Sequence, residues 1–210
     1  MKAKVYVETS ILSYLAARSS QDTITAARQV ITRRWWETEG AKYDLMVSEV
    51  VEAECQRGDP GVVARRQELL REVTLFPVNE SILEVARLLI APGAIPAKAG
   101  PDAIHIAAAA VEECDFLLTW NFRHIANVRI RREVERILAN CGLQKRRSAL
   151  RKNLSEHGPW EDDVLREVYA VRDAYAAEHG YDLDRIYADL KRREASSRLQ
   201  RANTHPSPRA

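Results

Sequence analysis

Three acidic side chains lie where the predicted elements of a parallel sheet would bring them together. Glu8 follows a short run of β-branched and aromatic residues at 5–7, and Asp102 opens an alanine-rich helical stretch. Glu54 lies in a helical segment after a second strand-like run. Carboxylates gathered in this way repel one another unless a cation lies between them, and hard oxygen ligands suit Mg²⁺ or Mn²⁺ rather than zinc. The pattern therefore indicates a divalent-metal site.

Each residue taken alone has an ordinary structural explanation. Glu8 suits a solvated strand end, and Asp102 offsets the dipole of the helix that it opens. Glu54 fits a solvated helix face, and His105 on the inner face of the alanine-rich helix is more often a packed core histidine than a ligand. The site prediction therefore depends on the arrangement of these residues and not on any one of them.

The elements that would position these side chains alternate along the chain. Apolar runs at 5–7, 43–47, 73–76 and 116–118 predict strands, and the amphipathic segments between them predict helices. Thr9 and Ser10 offer capping hydroxyls for the helix after the first strand. Asp59 and Pro60 read as the start of another helix, and Ser81 with Glu84 as the capping box of a third. Strands alternating with helices predict an α/β fold, a parallel sheet of four to five strands with helices on both faces. Ligand sites in such sheets lie at the carboxyl ends of the strands.

Composition sets wider limits. The chain has 210 residues and a net charge of +2, so overall charge argues neither for nor against a nucleic-acid partner. Its three cysteines are far apart, which argues against a disulfide framework and a zinc finger. No stretch fits a signal peptide or a membrane-spanning helix. We therefore expect a reduced, cytoplasmic protein with no membrane partner.

Three segments together resemble the PIN-domain family, in particular its toxin-type (VapC-like) ribonucleases. They are VYVETSILSYL, VEAECQRGD and GPDAIHIAAAAVEECDFLLTWNF. The resemblance covers residues 5–141, and its most specific part is the third segment. It implies a PIN-like fold and a hydrolase that cleaves RNA phosphodiester bonds with Mg²⁺ or Mn²⁺. A homodimer and a small antitoxin partner are also implied.

Carried over by position, the metal-binding and catalytic acids of the family fall on Glu8, Glu54 and Asp102. The place of a frequent fourth acid falls on Asn121, which carries no charge, and Glu8 is one methylene longer than the usual Asp. Ser10 and Thr119 resemble the small hydroxyl residues that support the acids. Glu54 is the candidate to orient or deprotonate the attacking water. Candidates to hold the flanking phosphates of the RNA are Arg18, Arg57 and Arg123.

The C-terminal part differs in composition from the rest. Segment 161–194 resembles a family of short proteins encoded beside such PIN proteins, with two helices joined by a Tyr-Asp-Leu-Asp turn. Trp160, Val164, Val168, Val171 and Tyr175 form one apolar stripe, and Leu183, Ile186, Tyr187 and Leu190 form a second. These stripes predict packing against a PIN domain, of the same chain or of a second copy. Lys191, Arg192 and Arg193 are the candidates to direct a basic side chain into the acidic pocket.

The predicted organisation is a nuclease-like domain at 1–142, a basic linker at 143–159, a helical antitoxin-like segment at 160–194 and a disordered tail at 195–210. The junction is compatible with a natural fusion, with a frame change that joins two adjacent genes, and with a self-inhibitory tail. Two other functions stay open. One is a PIN-fold regulatory module whose altered acids no longer cleave, and the other is a PIN nuclease in RNA or DNA processing.

Overall fold

A computed structural model describes residues 1–143 and 162–204. The strands are β1 (Ala3–Val7), β2 (Tyr43–Ser48), β3 (Thr74–Phe76) and β4 (Phe116–Leu118). The helices of the described residues are α1 (Thr9–Ala16), α2 (Thr23–Thr38), α3 (Glu49–Cys55), α4 (Pro60–Leu70), α5 (Glu80–Ile90), α6 (Gly100–Val111), α7 (Val128–Asn140), α8 (Asp163–Glu178) and α9 (Leu183–Thr204), with short 3₁₀ turns at Gly40–Lys42 and Ala97–Ala99.

The four strands form one parallel sheet in the order β3-β2-β1-β4. In this register, Val5 of β1 is paired with Leu45 on one side and with Phe116 on the other. Helices cover the sheet because parallel neighbours need crossover connections. The predicted α/β class and parallel sheet are confirmed, and each strand lies within a few residues of its predicted place.

Helix starts follow local capping chemistry, with two departures from the prediction. Asp59 caps α4 as predicted, accepting a hydrogen bond from the Val62 backbone N–H at 3.0 Å. The predicted capping box of α5 is wrong, because the N-cap is Asn79, two residues before Ser81. The hydroxyls after Glu8, predicted as helix caps, do not cap α1 and instead hold acidic side chains.

Apolar side chains on both sides of β1 form the core. Tyr6, Val7 and Leu12 are buried from solvent, as are Leu89 of α5 and Ile104 of α6. Burial of such side chains contributes about 1.5–3 kcal/mol each. Within the described ranges, no helix combines the length and the apolar character that crossing a bilayer requires.

The two C-terminal helices pack on the body of the same chain. Val164, Val168 and Tyr175 of α8 are buried, and Ile186 and Leu190 of α9 are buried with them. Val171, Leu183 and Tyr187 are half-buried, so most of both predicted stripes is covered. Trp160 lies outside the described residues. Helix α9 continues to Thr204, past the predicted end of the helical segment at 194 and through the first part of the predicted disordered tail. The predicted basic linker, except for its first residue, also lies outside the described residues.

Candidate metal centre

The carboxyl edge of the sheet collects the predicted site residues from separate elements. Glu8 follows β1, and Thr119 and Asn121 follow β4, the neighbouring strand. Glu54 belongs to α3, which leaves the end of β2. Helix α6 precedes β4 and starts at this edge, so Asp102 in its first turn points to the same place. The three predicted acids are all buried: Glu8 and Glu54 are 0% exposed, and Asp102 is 4% exposed.

Hydroxyl groups hold the Glu8 carboxylate. Thr119 Oγ1 donates to Glu8 Oε2 at 2.7 Å, and Ser10 Oγ donates to the same oxygen. The Ser10 hydroxyl in turn accepts the Trp120 backbone N–H at 2.8 Å. Because these hydroxyls come from α1 and from the loop after β4, the acid is fixed between two elements. Ser10 and Thr119 therefore lie where the resemblance implied supporting residues.

Glu54 is held by a different set of partners. Thr9 Oγ1 donates to Glu54 Oε2, and His105 Nε2 lies 3.3 Å from both carboxylate oxygens. The Tyr6 hydroxyl lies 2.7 Å from His105 Nδ1 and 2.7 Å from Ser48 Oγ. Burial raises the pKa of Tyr6, so its hydroxyl keeps its proton. His105 is thus both a packed core histidine and a neighbour of the pocket.

Asp102 is fixed by the loop after β4. Asn121 Nδ2 donates to Asp102 Oδ1 at 2.9 Å, and His124 Nδ1 lies 2.6 Å from Oδ2. The Asn121 side-chain oxygen accepts the backbone N–H groups of residues 123 and 124, which sets the direction of its amide. Asn121 therefore orients the Asp102 carboxylate through a hydrogen bond and contributes no charge of its own.

One cation from the C-terminal segment lies among the three acids. The Arg172 guanidinium donates to Glu54 Oε1 through Nε at 2.9 Å and to Asp102 Oδ1 through Nη1 at 2.9 Å. Its Nη2 donates to Glu8 Oε1 and lies 3.1 Å from His105 Nε2. Arg172 is only 5% exposed. Three carboxylates from three elements therefore converge on a single positive charge.

The structure corrects which basic residue enters the pocket. Arg172 of α8 occupies it, while the predicted candidates of α9 pair elsewhere. Arg192 and Arg193 donate to the Asp189 carboxylate at 3.0 and 2.6 Å. Lys191 pairs with carboxylates of α9 and α3 at 2.7 and 3.6 Å. These α9 residues lie past the stripe that docks the helix, whereas Arg172 lies within the stripe of α8.

A narrower set of donor atoms could hold one metal ion. Glu8, Glu54 and His105 each offer a ligand atom, and these atoms lie within 4.8 Å of one another. Asp102 is joined to this set through the shared contact with Arg172.

Sequence reasoning did not single out Arg172 or His124. A signal for Arg172 is visible in the chain: it lies four residues after Val168 and three before Tyr175, so a charge interrupts an apolar stripe. A charge at a buried position needs a partner, and the acidic pocket is that partner. His124 follows the Asn-Phe pair by two residues, and no spacing rule connects it to Asp102 across 22 positions.

Two of the three predicted phosphate-binding arginines face α8. Arg57 forms a bidentate ion pair with Glu178 at 2.6 and 2.7 Å. The Arg123 guanidinium lies 5.8 Å from the centre of the Tyr169 ring. Helix α8 therefore covers the surface on which these side chains were expected to meet substrate.

The arrangement holds a cation in a buried pocket of carboxylate oxygens, and α8 supplies that cation. Comparison of the chain with protein-family models, with curated proteins and with solved structures found no match.

Proposed function

We propose that the chain is a PIN-fold, metal-dependent endoribonuclease of the toxin type, restrained by its own antitoxin-like C-terminal segment. The observation that carries the proposal is the binding of one buried guanidinium by Glu8, Glu54 and Asp102. A pocket that stabilises a cation between three carboxylates has the charge that a catalytic divalent ion requires. The resemblance of the sequence to PIN ribonucleases supplies the reaction.

Glu8, Glu54 and Asp102 would hold Mg²⁺ or Mn²⁺, and His105 adds a nitrogen donor that favours Mn²⁺. Such an ion, when bound, polarises a phosphodiester and lowers the pKa of a coordinated water. The donor set fits these ions. Carboxylate oxygens are ordinary ligands of both Mg²⁺ and Mn²⁺, and an imidazole nitrogen is an ordinary ligand of Mn²⁺.

The side chains of the pocket orient the acids for this role. Glu54 is the base of the proposal: with Arg172 withdrawn, its Oε1 is free to accept a proton from the attacking water. The Thr9 hydroxyl, which donates to Oε2, keeps that carboxylate in one orientation. Asp102 is kept in place by the amide of Asn121 and does not need a fourth acid for its position.

Arg172 acts against this chemistry in the observed conformation. Its guanidinium bonds to all three acids, so metal and Arg172 compete for the same oxygens. Helix α8 also lies across the entrance and excludes substrate from the pocket. The segment thus does within one chain what the resemblance assigns to a separate antitoxin, and a toxin–antitoxin-like role follows.

An RNA cleavage assay with Mn²⁺ tests the proposal. Arg172→Ala should cleave single-stranded RNA, EDTA should stop the cleavage, and adding Asp102→Asn to the same chain should abolish it. Arg166→Ala is the matched control, because Arg166 lies on the same helix in an exposed pair with Asp163. Arg172→Ala that binds Mn²⁺ and cleaves neither RNA nor DNA would refute the nuclease, and cleavage of DNA alone would reassign its substrate.

A second candidate function is a regulatory module that does not cleave. Its support is that the Arg172 guanidinium satisfies the acids without a metal, and that Asn121 is neutral where the family often has an acid. For such a module, Arg172→Ala should lose the docking of α8 and gain no hydrolytic activity. The same assay, combined with a measurement of Mn²⁺ binding, separates the two functions.

A further inference from the structure

Two arginines of the body bind carboxylates of α8 on either side of Arg172. Arg66 donates through Nη2 to Glu167 Oε1 at 2.8 Å. Arg57 forms its bidentate pair with Glu178. Glu167 lies five residues before Arg172 and Glu178 six residues after it, which places them about 7.5 and 9 Å away along the helix axis. Among the α8 side chains that form ion pairs with the body, the charge order along the helix is therefore negative, positive, negative.

Both arginines adjoin the element that carries Glu54. The Arg57 backbone N–H donates to the carbonyl of Glu54 at 3.2 Å, directly after α3. Arg66 of α4 donates through Nη1 to the Arg57 carbonyl at 3.0 Å. The two guanidiniums are thus fixed relative to the pocket acids by the backbone at the end of α3.

The Arg66 position is built to receive an anion. Arg66 is 2% exposed, and burying a guanidinium is unfavourable without an anionic partner. A Cβ at Gly58 would come within 2.8 Å of the Glu167 carboxylate, so the absence of a side chain there makes room for the anion. Gly58 also has φ +99°, a conformation that other residues adopt poorly.

In the part of the chain that the structure describes, each of the two arginines also has one unpaired hydrogen-bond donor. The Nε–H groups of Arg57 and Arg66 are buried and have no hydrogen-bond partner among the described residues. A carboxylate uses two acceptor oxygens, whereas a phosphodiester in the same place presents further oxygen atoms. Arginine forks match phosphate geometry as well as carboxylate geometry.

We propose that Arg57 and Arg66 are subsites for RNA backbone phosphates on the two sides of the scissile bond. Glu167 and Glu178 occupy these subsites as phosphate mimics, and Arg172 between them takes the place of the metal. Helix α8 thereby presents the charge pattern of a metal-bound RNA strand. This inference rests on the proposed nuclease function and adds to it the path of the substrate.

The test measures binding of a short fluorescent single-stranded RNA to the full chain, in EDTA, over a range of salt. Glu167→Gln combined with Glu178→Gln should bind the RNA about tenfold more tightly than the wild type. The salt dependence should steepen by about 1.4 in the log–log slope, 0.7 for each of two phosphates. Adding Arg57→Gln and Arg66→Gln should remove both gains.

A matched control removes the same number of negative charges at positions away from α8. Glu68→Gln with Glu133→Gln removes two carboxylates from exposed pairs with Arg71 and Arg136, and its RNA affinity should equal that of the wild type. An equal gain in this control, or a gain that survives Arg57→Gln, would overturn the subsites. No gain in the Glu167 and Glu178 variant would overturn them as well.

A milder variant covers the case in which the double variant does not fold. Glu178 has a side chain 54% exposed, so Glu178→Gln alone keeps the fold and tests the Arg57 subsite by itself.

The outcome of the binding test can be separated from that of the cleavage assay. If RNA binds through Arg57 but Arg172→Ala does not cleave it, the nuclease is refuted and the phosphate subsites stand. If Arg172→Ala cleaves RNA but the glutamate substitutions do not change RNA binding, the nuclease stands and the subsites are refuted.

Discussion

At the scale of single residues, the pocket contains one buried cation for three buried carboxylates. Ion pairs of this kind are expensive to desolvate, and they contribute to stability only when nearly every donor and acceptor is satisfied. Arg172 meets that condition: its Nε, Nη1 and Nη2 atoms all donate to carboxylate oxygens. Its removal leaves the acids in need of another cation.

The first prediction at this scale is a competition between Arg172 and metal. Arg172→Ala should be less stable than the wild type, and saturating Mn²⁺ should restore it. At a hundredfold excess over the dissociation constant, binding stabilises by about 2.7 kcal/mol. This corresponds to a melting temperature higher by about 5–10 °C for a chain of this size.

The wild type should respond much less, because Mn²⁺ must displace the guanidinium. Arg166→Ala, the exposed neighbour on α8, should behave as the wild type does. Thermal melts with and without Mn²⁺ measure these differences. Equal shifts in all three proteins would count against a metal site at the Arg172 position.

At the scale of elements, α8 is anchored at its start as well as at its centre. Asp162 is its N-cap, accepting the Leu165 backbone N–H at 3.0 Å. The same side chain accepts a hydrogen bond from Tyr14 of α1 and pairs with Arg28 of α2 at 2.9 Å. Asp162 thus combines a helix cap with a buried link to the body.

The prediction at this scale separates the two roles of that side chain. Asn and Asp cap helices about equally well, so Asp162→Asn keeps the cap and removes the charge that Arg28 contacts. We expect a loss of about 1.5–3 kcal/mol in the free energy of unfolding, measured by urea titration, because hydrogen bonds to charged groups contribute this much. Asp22→Asn, at the exposed N-cap of α2, should change it by less than about 0.5 kcal/mol. Similar losses at both positions would show that the ion pair adds nothing.

At the scale of the whole molecule, charge pairs join the C-terminal segment to the body around the pocket. They are Arg28–Asp162, Arg57–Glu178, Arg66–Glu167 and Arg87–Asp184. In these four pairs the body supplies the cation and the segment supplies the anion, whereas the order is reversed at Arg172 and at the Lys191–Glu49 pair. Docking of the segment should therefore depend on pH and on salt, since partly exposed pairs are screened.

The prediction at this scale concerns acid. The hydrogen bond from Arg57 lowers the pKa of Glu178. A carboxyl whose pKa is lower in the folded state stabilises that state fully above its unfolded pKa, about 4.3, and loses this contribution as pH falls through the folded pKa. Because Glu178 is largely exposed, we expect about 0.5 kcal/mol.

The difference in free energy of unfolding between the wild type and Glu178→Gln measures this contribution. It should be constant above about pH 5 and should vanish as the pH falls towards 3. A difference that grows in acid, or that does not change with pH, would contradict the assignment of the Arg57 pair.

Local patterns in the sequence determined the strands, most helix starts and the apolar stripes, because side-chain periodicity and capping chemistry act between near neighbours. They also determined which acids reach the carboxyl edge of a parallel sheet, since Glu8 follows a strand, Glu54 lies in the short helix after a strand, and Asp102 lies in the first turn of a helix. Only the tertiary structure decided what lies among them. Arg172 meets Glu8 across 164 positions, and His124 meets Asp102 across a loop whose path no local rule specifies. Which cation enters the pocket depends on how α8 rotates when its whole stripe is buried, and that is a property of packing between distant segments.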